Sequence, residues 1–253
     1  MTLAHRIIPT VLCSGTRLVK GRQFNPGRVV GHAAQAVKIH QGREVDELVL
    51  LDVTATKEGR TPDLKMIAEL AAVCFMPLAV GGGVRTVEDV RQLLRHGADK
   101  VVIGTAAVKR PEFVREVADT FGAQAVVVSV DVKNGTVHGY SGTQELTELW
   151  GMRRYAIHWA GEAQERGAGE ILLQSIDRDG TMQGYDLDLI REVSRAVSIP
   201  VIASGGCSGY PDMLAALNAG ADAVAAGALF QFRDATPKGA AQFLKERGVE
   251  VRL

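Results

Sequence analysis

Short apolar runs alternate with amphipathic stretches along the whole chain. The apolar runs lie near Arg6–Leu12, Glu47–Asp52, Pro77–Val80, Lys100–Ile103, Ala125–Asp131, Glu170–Gln174, Pro200–Ala203 and Ala223–Ala226. Most are rich in Val, Ile and Leu without polar alternation, the pattern of parallel strands buried on both faces. Between them apolar residues recur at helical spacing, as Val87, Val90, Leu93 and Leu94 do within Thr86–His96. The same reading predicts helices over His32–Gln41, Asp63–Val73, Pro111–Thr120, Tyr155–Arg166, Asp188–Val197, Pro211–Ala219 and Pro237–Arg247. Pro111, Pro211 and Pro237 stand where helices begin, which suits proline's fixed φ and missing N–H. Eight strands and eight helices in strict alternation over 253 residues predict a (β/α)8 TIM barrel, with a doubly wound open sheet as the alternative.

An internal repeat supports the barrel. Gly97-Ala98-Asp99 recurs 123 residues later as Gly220-Ala221-Asp222. Gly81-Gly82 recurs 124 residues later as Gly205-Gly206, and Asp52 recurs 125 residues later as Asp177. The matches imply two half-barrels of four βα units each. No linker or change of composition separates the halves, so residues 1–253 read as one domain. The stretches Ser14–Gly31 and Val132–Met152 each follow the first strand of a half and read as irregular loops on the catalytic face.

Composition narrows the function. Lys plus Arg and Asp plus Glu are 29 each, so the formal charge is zero and no footprint of a nucleic-acid or anionic-membrane binder is present. No run approaches the ~18 apolar residues of a membrane span, and Met1–Arg6 shows no export signal. Cys13, Cys74 and Cys207 form no CxxC pair, which points to a reducing cytoplasm. Glycine is in excess: 28 residues, where about 7% of the chain would be usual.

In a barrel of this kind chemistry sits at the carboxyl ends of the strands. There the third strand runs into Gly81-Gly82-Gly83 and the seventh into Ser204-Gly205-Gly206. The fourth ends in Gly104-Thr105 and the eighth in Gly227-Ala228. Glycine exposes backbone N–H groups and a following helix adds partial positive charge, so each half offers a phosphate cradle. Tight turns alone are the plain alternative. Two cradles in symmetric positions favour a ligand with phosphate at both ends. Asp131 closes the long fifth strand, where an apolar mouth tunes a carboxyl for proton transfer. Asp179, in Asp177-Arg178-Asp179-Gly180, is a further candidate, although Asp-Gly is also an ordinary turn. Aligning the two half-barrels sets Leu12 opposite Asp131, so a two-carboxylate mechanism lacks one acid. His5, His32, His40, His96, His138 and His158 show no metal-ligand spacing, and neither metal nor cofactor is expected. Cys13 reads as a small buried filler at the mouth, with a nucleophile the alternative. Trp150 and Trp159 read as packing for the fifth helix or the loop before it.

These residues match a known family. The chain resembles the cyclase subunit of imidazole glycerol phosphate synthase over essentially its whole length. The resemblance is carried by Arg6-Ile7-Ile8, Val19-Lys20-Gly21, Asp46-Glu47-Leu48-Val49, Val80-Gly81-Gly82-Gly83 and Gly97-Ala98-Asp99-Lys100-Val101. It continues in Gln124-Ala125-Val126-Val127-Val128, Gly167-Ala168-Gly169-Glu170-Ile171, Ser175-Ile176-Asp177-Arg178-Asp179-Gly180-Thr181 and Ile202-Ala203-Ser204-Gly205-Gly206. It implies a lyase/cyclase of histidine biosynthesis that takes ammonia from a partner class I glutaminase and adds it to a bis-phosphate ribotide, with cyclisation and C–N cleavage. It assigns proton transfer to Asp131 and to a first-strand acid that is Leu12 here. It places Lys20, Gly83, Thr105, Ser141, Asp179, Gly180, Ser204, Gly206, Gly227 and Ala228 at the substrate and its phosphates. An asparagine usual after the fourth strand is Gly104 here. Arg6, Glu47, Lys100 and Glu170 correspond to a charged ammonia gate on the N-terminal face, where the glutaminase docks; a salt-bridged plug is the alternative.

Leu12 leaves a second reading open: a divergent paralogue that conducts ammonia to another acceptor, such as a sugar, without the parental cyclisation. A sugar-phosphate isomerase on the same half-barrel plan is a third, and it too would want both acids.

Overall fold

The computed structural model describes residues 4–43, 45–146 and 155–251, so Trp150 lies outside the described residues. Eight parallel strands form the barrel: β1 (Arg6–Ser14), β4 (Leu48–Asp52), β5 (Leu78–Gly81), β6 (Lys100–Ile103), β7 (Val126–Lys133), β10 (Glu170–Ser175), β11 (Val201–Ser204) and β12 (Ala223–Ala226). Four more strands, β2 (Arg17–Arg22), β3 (Asn25–His32), β8 (Thr136–Gly139) and β9 (Gln144–Glu145), extend β1 and β7 as antiparallel ribbons. Pairing of β7 with β10 closes the ring, with Ser129 beside Leu172 and Asp131 beside Gln174. The open-sheet alternative is thereby excluded.

The predicted helices are all present: α1 (Ala33–Gln41), α3 (Leu64–Ala71), α4 (Val87–Arg95), α6 (Glu112–Phe121), α7 (Ala156–Glu165), α8 (Leu187–Ala196), α9 (Tyr210–Asn218) and α11 (Pro237–Lys245). Three short ones, α2 (Ala55–Glu58), α5 (Thr105–Lys109) and α10 (Ala228–Phe232), follow β4, β6 and β12. A helix of four or five residues is too short to print a 3.6-residue period, so the sequence pattern missed them. Trp159 is 1% exposed on α7. Among the described residues no helix is long and apolar enough to cross a membrane.

The continuous apolar runs divide by strand parity into two cores. Ile8, Val49, Ala79, Val102, Val127, Leu172, Ile202, Ala223 and Ala225 fill the barrel interior. Their neighbours in sequence, such as Ile7, Leu48, Leu50, Val101, Val128 and Leu173, face the helices. Both faces are dry, which is why no polar alternation marks these strands.

The repeat is real, and the structure corrects its register. Leu78 N–H donates to Asp99 Oδ2 at 2.8 Å, and Val201 N–H to Asp222 Oδ2 at 2.9 Å. Met66 N–H donates to Asp63 at the start of α3, and Leu189 N–H to Asp186 at the start of α8. All these pairs are 123 residues apart. The glycines obey the same frame, so Gly82-Gly83, not Gly81-Gly82, correspond to Gly205-Gly206. A Cβ on Gly82 would lie 2.2 Å from Asp52 O, and one on Gly205 2.6 Å from Ser175 O. Ser175 is therefore the strand counterpart of Asp52, and Asp177 lies beyond the end of β10. Asp52 and Asp177 still do one job in common, accepting from the N–H of Gly15 (3.1 Å) and Asn134 (2.9 Å).

The stretches expected to be irregular contain β-ribbons. Ser14 pairs with Arg17 and Lys133 with Thr136, so each ribbon opens on a two-residue turn at matching positions. Asn134 and Gly135 have φ of 50° and 77°, the left-handed pair of a tight hairpin. The Asn-Gly dipeptide is a hairpin signal in the sequence, and β7 runs two residues past Asp131 to reach it.

The equivalence of the halves is testable. Asp99→Ala and Asp222→Ala each strip a buried strand N–H of its acceptor, at a cost of about 1–3 kcal/mol. Urea midpoints should fall by similar amounts in both variants with unchanged slope. A loss in one half only would contradict the structural equivalence.

Candidate active site at the barrel mouth

The carboxyl ends of the eight strands surround a cavity of about 550 Å³. Lys20, Gly83, Thr105, Asp131, Ser141, Asp179, Gly180, Ser204, Gly206, Gly227 and Ala228 all line it, as does Leu12. On one side Gly83 follows β5 and Thr105 opens α5. A Cβ on Gly83 (φ 69°) would sit 1.9 Å from Arg60 O, so only glycine fits this turn. Thr105 Oγ1 accepts from Tyr140 N–H at 2.9 Å, and Ser141 donates to Val53 O at 2.6 Å. The opposite side repeats the plan with Gly206 after β11 and Gly227 before α10. Lys20 reaches over from β2 toward Gly227 and faces Asp179. Burial pushes the Asp179 carboxyl up and Lys20 pulls it back down; burial lowers the Lys20 ammonium and Asp179 raises it.

Between the two glycine turns stands Asp131. Its Oδ1 accepts from Ser129 Oγ at 2.6 Å and from Gln174 Nε2 at 3.3 Å. Gln174 in turn accepts from Ser204 Oγ at 3.3 Å. Burial pushes the Asp131 carboxyl from 3.8 up to about 6; the Ser129 and Gln174 bonds oppose the rise, and the negative charge of Asp179 adds to it. A carboxyl poised there both gives and takes a proton near neutrality. The first half lacks the group. Leu12 on β1 occupies the position of Asp131 on β7, and Thr10 that of Ser129. The Thr10 hydroxyl is buried and has no hydrogen-bond partner among the described residues, whereas Ser129 donates to Asp131. Where Ser129 has the Asp131 carboxylate as its acceptor, Thr10 has Leu12 at the corresponding position.

Cys13 is not at the mouth. It points outward from β1 into the helix-facing core, 1% exposed, and burial pushes its thiol far up, so it is a filler and not a nucleophile. Among the described residues no group of three or more His, Cys, Asp or Glu side chains converges as a metal site requires.

At the far end of the barrel four charges form a closed ring. Arg6 lies 2.6 Å from Glu47 and 2.9 Å from Glu170; Lys100 lies 2.9 Å from Glu47 and 3.0 Å from Glu170. Inward parity explains the convergence: Arg6, Glu47, Lys100 and Glu170 stand two residues before Ile8, Val49, Val102 and Leu172, which face the barrel axis. Burial works against the Arg6 charge, but Glu170 and Glu47 outweigh it and raise the guanidinium.

Sequence reasoning had passed over Thr10, Ser129 and Gln174. Counting inward positions along β1, β7 and β10 would have found them, since each shares parity with a barrel-filling residue. It also missed the ion pair of Asp52 with Arg60, at 2.5 Å, which anchors the loop after β4.

The histidine biosynthesis protein family model matches residues 6–236. The chain belongs to this family. The imidazole glycerol phosphate synthase subunit HisF of Chlorobium limicola is 43% identical over 256 residues, covering 99% of this chain and 100% of that relative. In this member of the family the mouth, the two glycine turns and the floor ring share one barrel axis.

Asp131 carries a cost that can be measured. Below pH about 4 its carboxyl is protonated whether the chain is folded or not. As pH rises to about 6 the unfolded chain releases this proton first, so the group lowers stability, fully so above pH 6. Asp131→Asn should therefore raise stability at pH 7–8 by something on the order of 1–3 kcal/mol, with the gain gone below pH about 4. Denaturation midpoints across this pH range check it; a gain independent of pH would refute the titration.

Proposed function

We propose that the chain is the cyclase-type subunit of a glutamine amidotransferase, and that residues 1–253 form one barrel domain. A class I glutaminase docks on the N-terminal face and supplies ammonia past Arg6, Glu47, Lys100 and Glu170. A bis-phosphate ribotide spans the mouth, one phosphate at Gly83 and Thr105, the other at Gly180, Gly206, Gly227 and Ala228. Asp131 moves the protons of cyclisation and C–N cleavage. The observation that carries this reading is one cavity holding a titratable carboxyl between two symmetry-related glycine turns. Three free cysteines fit work in a reducing cytoplasm.

The ring suits a gate on physical grounds. Each charge has two partners, so one ion pair can open without stranding a buried charge. The same face carries Phe75, 89% exposed in the connection leading into β5. An exposed aromatic on the same face as a charged ring has the composition of an interface anchor.

Leu12 favours a second reading, in which ammonia passes to a different acceptor. An aliphatic side chain shuttles no proton, and the loss of a positioned acid–base group costs about 10²–10⁴ in rate. It also counts against a sugar-phosphate isomerase.

Two experiments test these readings. Supplied with ammonium and the histidine-pathway bis-phosphate, the natural chain should turn over at least roughly a hundredfold slower than a two-carboxylate relative. Leu12→Asp should raise the rate at little cost in stability, because Thr10 waits as a donor, and Asp131→Asn should abolish it. Full activity in the unmodified chain would sink the role given to Leu12. In the second experiment, glutamine hydrolysis by a class I glutaminase from the same organism should rise when this chain is added, and Phe75→Ala should weaken the complex at least about tenfold. Absence of binding or stimulation would leave the ring a structural plug.

A further inference from the structure

The two halves of the barrel differ along one row of inward positions. In the second half Asp131 on β7 lies beside Gln174 on β10, and Gln174 beside Ser204 on β11. In the first half Leu12 on β1 lies beside Leu51 on β4, and Leu51 beside Gly81 on β5. Gln174 follows Leu51, and Ser204 follows Gly81, by the same 123 residues that relate the helix caps. One row is polar and hydrogen-bonded; the other carries no polar side-chain atom. Gln174 and Ser204 thus accompany the carboxyl, and both are replaced where it is missing.

The hydrogens of the polar row can be followed from donor to acceptor. Ser129 has one hydroxyl hydrogen, which goes to Asp131 Oδ1 at 2.6 Å, the length of a charge-assisted bond. Ser204 gives its hydrogen to Gln174 Oε1 at 3.3 Å, which turns the amide nitrogen toward β7. That nitrogen reaches Asp131 Oδ1 at 3.3 Å and Ser129 Oγ at 3.4 Å. Oδ1 therefore receives two donors, and no hydrogen bond reaches Oδ2 among the described residues. A proton taken up by Asp131 meets both donors at Oδ1, so it resides on Oδ2. The neutral carboxyl still accepts both bonds at Oδ1, so nothing rearranges when the proton moves.

We propose that Ser129, Gln174 and Ser204 are positioning residues, which hold Asp131 by Oδ1 and reserve Oδ2 for the cavity that Asp131 lines. One carboxyl then serves as both base and acid. As a carboxylate, Oδ2 takes a proton from the ligand, and the N–H or C–H bond that breaks leaves its electron pair there. As a carboxylic acid, Oδ2 returns the same proton to a second atom of the ligand. No second protein acid enters this cycle, which suits a mouth with Leu12 opposite Asp131. The inference rests on the acid–base role given to Asp131 above. Neighbouring charges do not supply the same asymmetry. Asp179, after β10, adds to the upward push on the carboxyl, and His138 on β8 is the register partner of Asp131. Lys100 and Glu170, on the flanking β6 and β10, pair with each other at the floor.

Carbon NMR of the Asp131 carboxyl in the full chain, assigned by its loss in Asp131→Asn, provides the test. Both bonds favour the ionised form, so removing either raises the titration midpoint. Ser129→Ala should move it up by about one pH unit and Gln174→Met by about half as much. Ser129→Thr keeps the hydroxyl, as Thr10 does at the matching position, and should hold the midpoint within about 0.2 units. With ammonium and the bis-phosphate as substrates, the acidic limb of the kcat profile should follow each midpoint. At pH 7 Ser129→Ala should lose about tenfold in kcat with KM changed less than about twofold. An unchanged Tm would show the variants folded. Midpoints unmoved in both Ser129→Ala and Gln174→Met would overturn the inference, as would a moved midpoint with an unmoved kcat limb. No turnover in any chain, Leu12→Asp included, would count against the cyclase reading instead; the midpoints need no substrate and would still decide whether Oδ1 is the held atom.

Discussion

Closure of eight parallel strands on themselves sets a height along the barrel axis for every inward-pointing residue. Once β7 pairs with β10, no strand can slip by one residue without exchanging its inner and outer faces. The order along the axis follows. Arg6, Glu47, Lys100 and Glu170 form the floor, Ile8, Val49, Val102, Val127, Leu172 and Ile202 the dry middle, and Thr10, Ser129, Gln174 and Ser204 a polar layer beneath Asp131.

The floor and the mouth both carry charge in ways that folding alone does not demand. The apolar layer above the ring already fills the barrel, and desolvating four charges is costly even when all are paired. Asp131 is held partly buried with its carboxyl at about 6, where ionisation works against the fold at neutral pH. Such opposition between stability and poised chemistry is usual where a protein handles protons.

The half-barrel repeat makes the mouth nearly two-fold symmetric, so its departures from symmetry stand out. Backbone pairings at Leu78 and Val201, helix caps at Asp63 and Asp186, and hairpin turns after Ser14 and Lys133 are shared. Leu12 against Asp131 is the sharpest break, because the Thr10 hydroxyl below it has no hydrogen-bond partner among the described residues. The second break lies in the same row, with Leu51 and Gly81 where the other half carries Gln174 and Ser204.

The alternation of apolar runs and amphipathic stretches determined the barrel by itself, because strands buried on both faces and helices buried on one leave different periods in the chain. The places of Gly83, Gly206, Asp131 and the floor charges could be read for a related reason: each lies within two residues of the start or end of a strand whose position the pattern already marked. The tertiary structure decided what depends on contacts between distant strands. The register of the repeat became 123 residues throughout once Gly82 was seen against Asp52 and Gly205 against Ser175. Cys13 moved from the mouth to the outer core because a strand's parity, not its end, decides which way a side chain points. The ribbons after β1 and β7, the short helices α2, α5 and α10, and the bond network around Asp131 were hidden for one physical reason. Their stability comes from partners far along the chain, and a local period records only which face is buried, not what it is buried against.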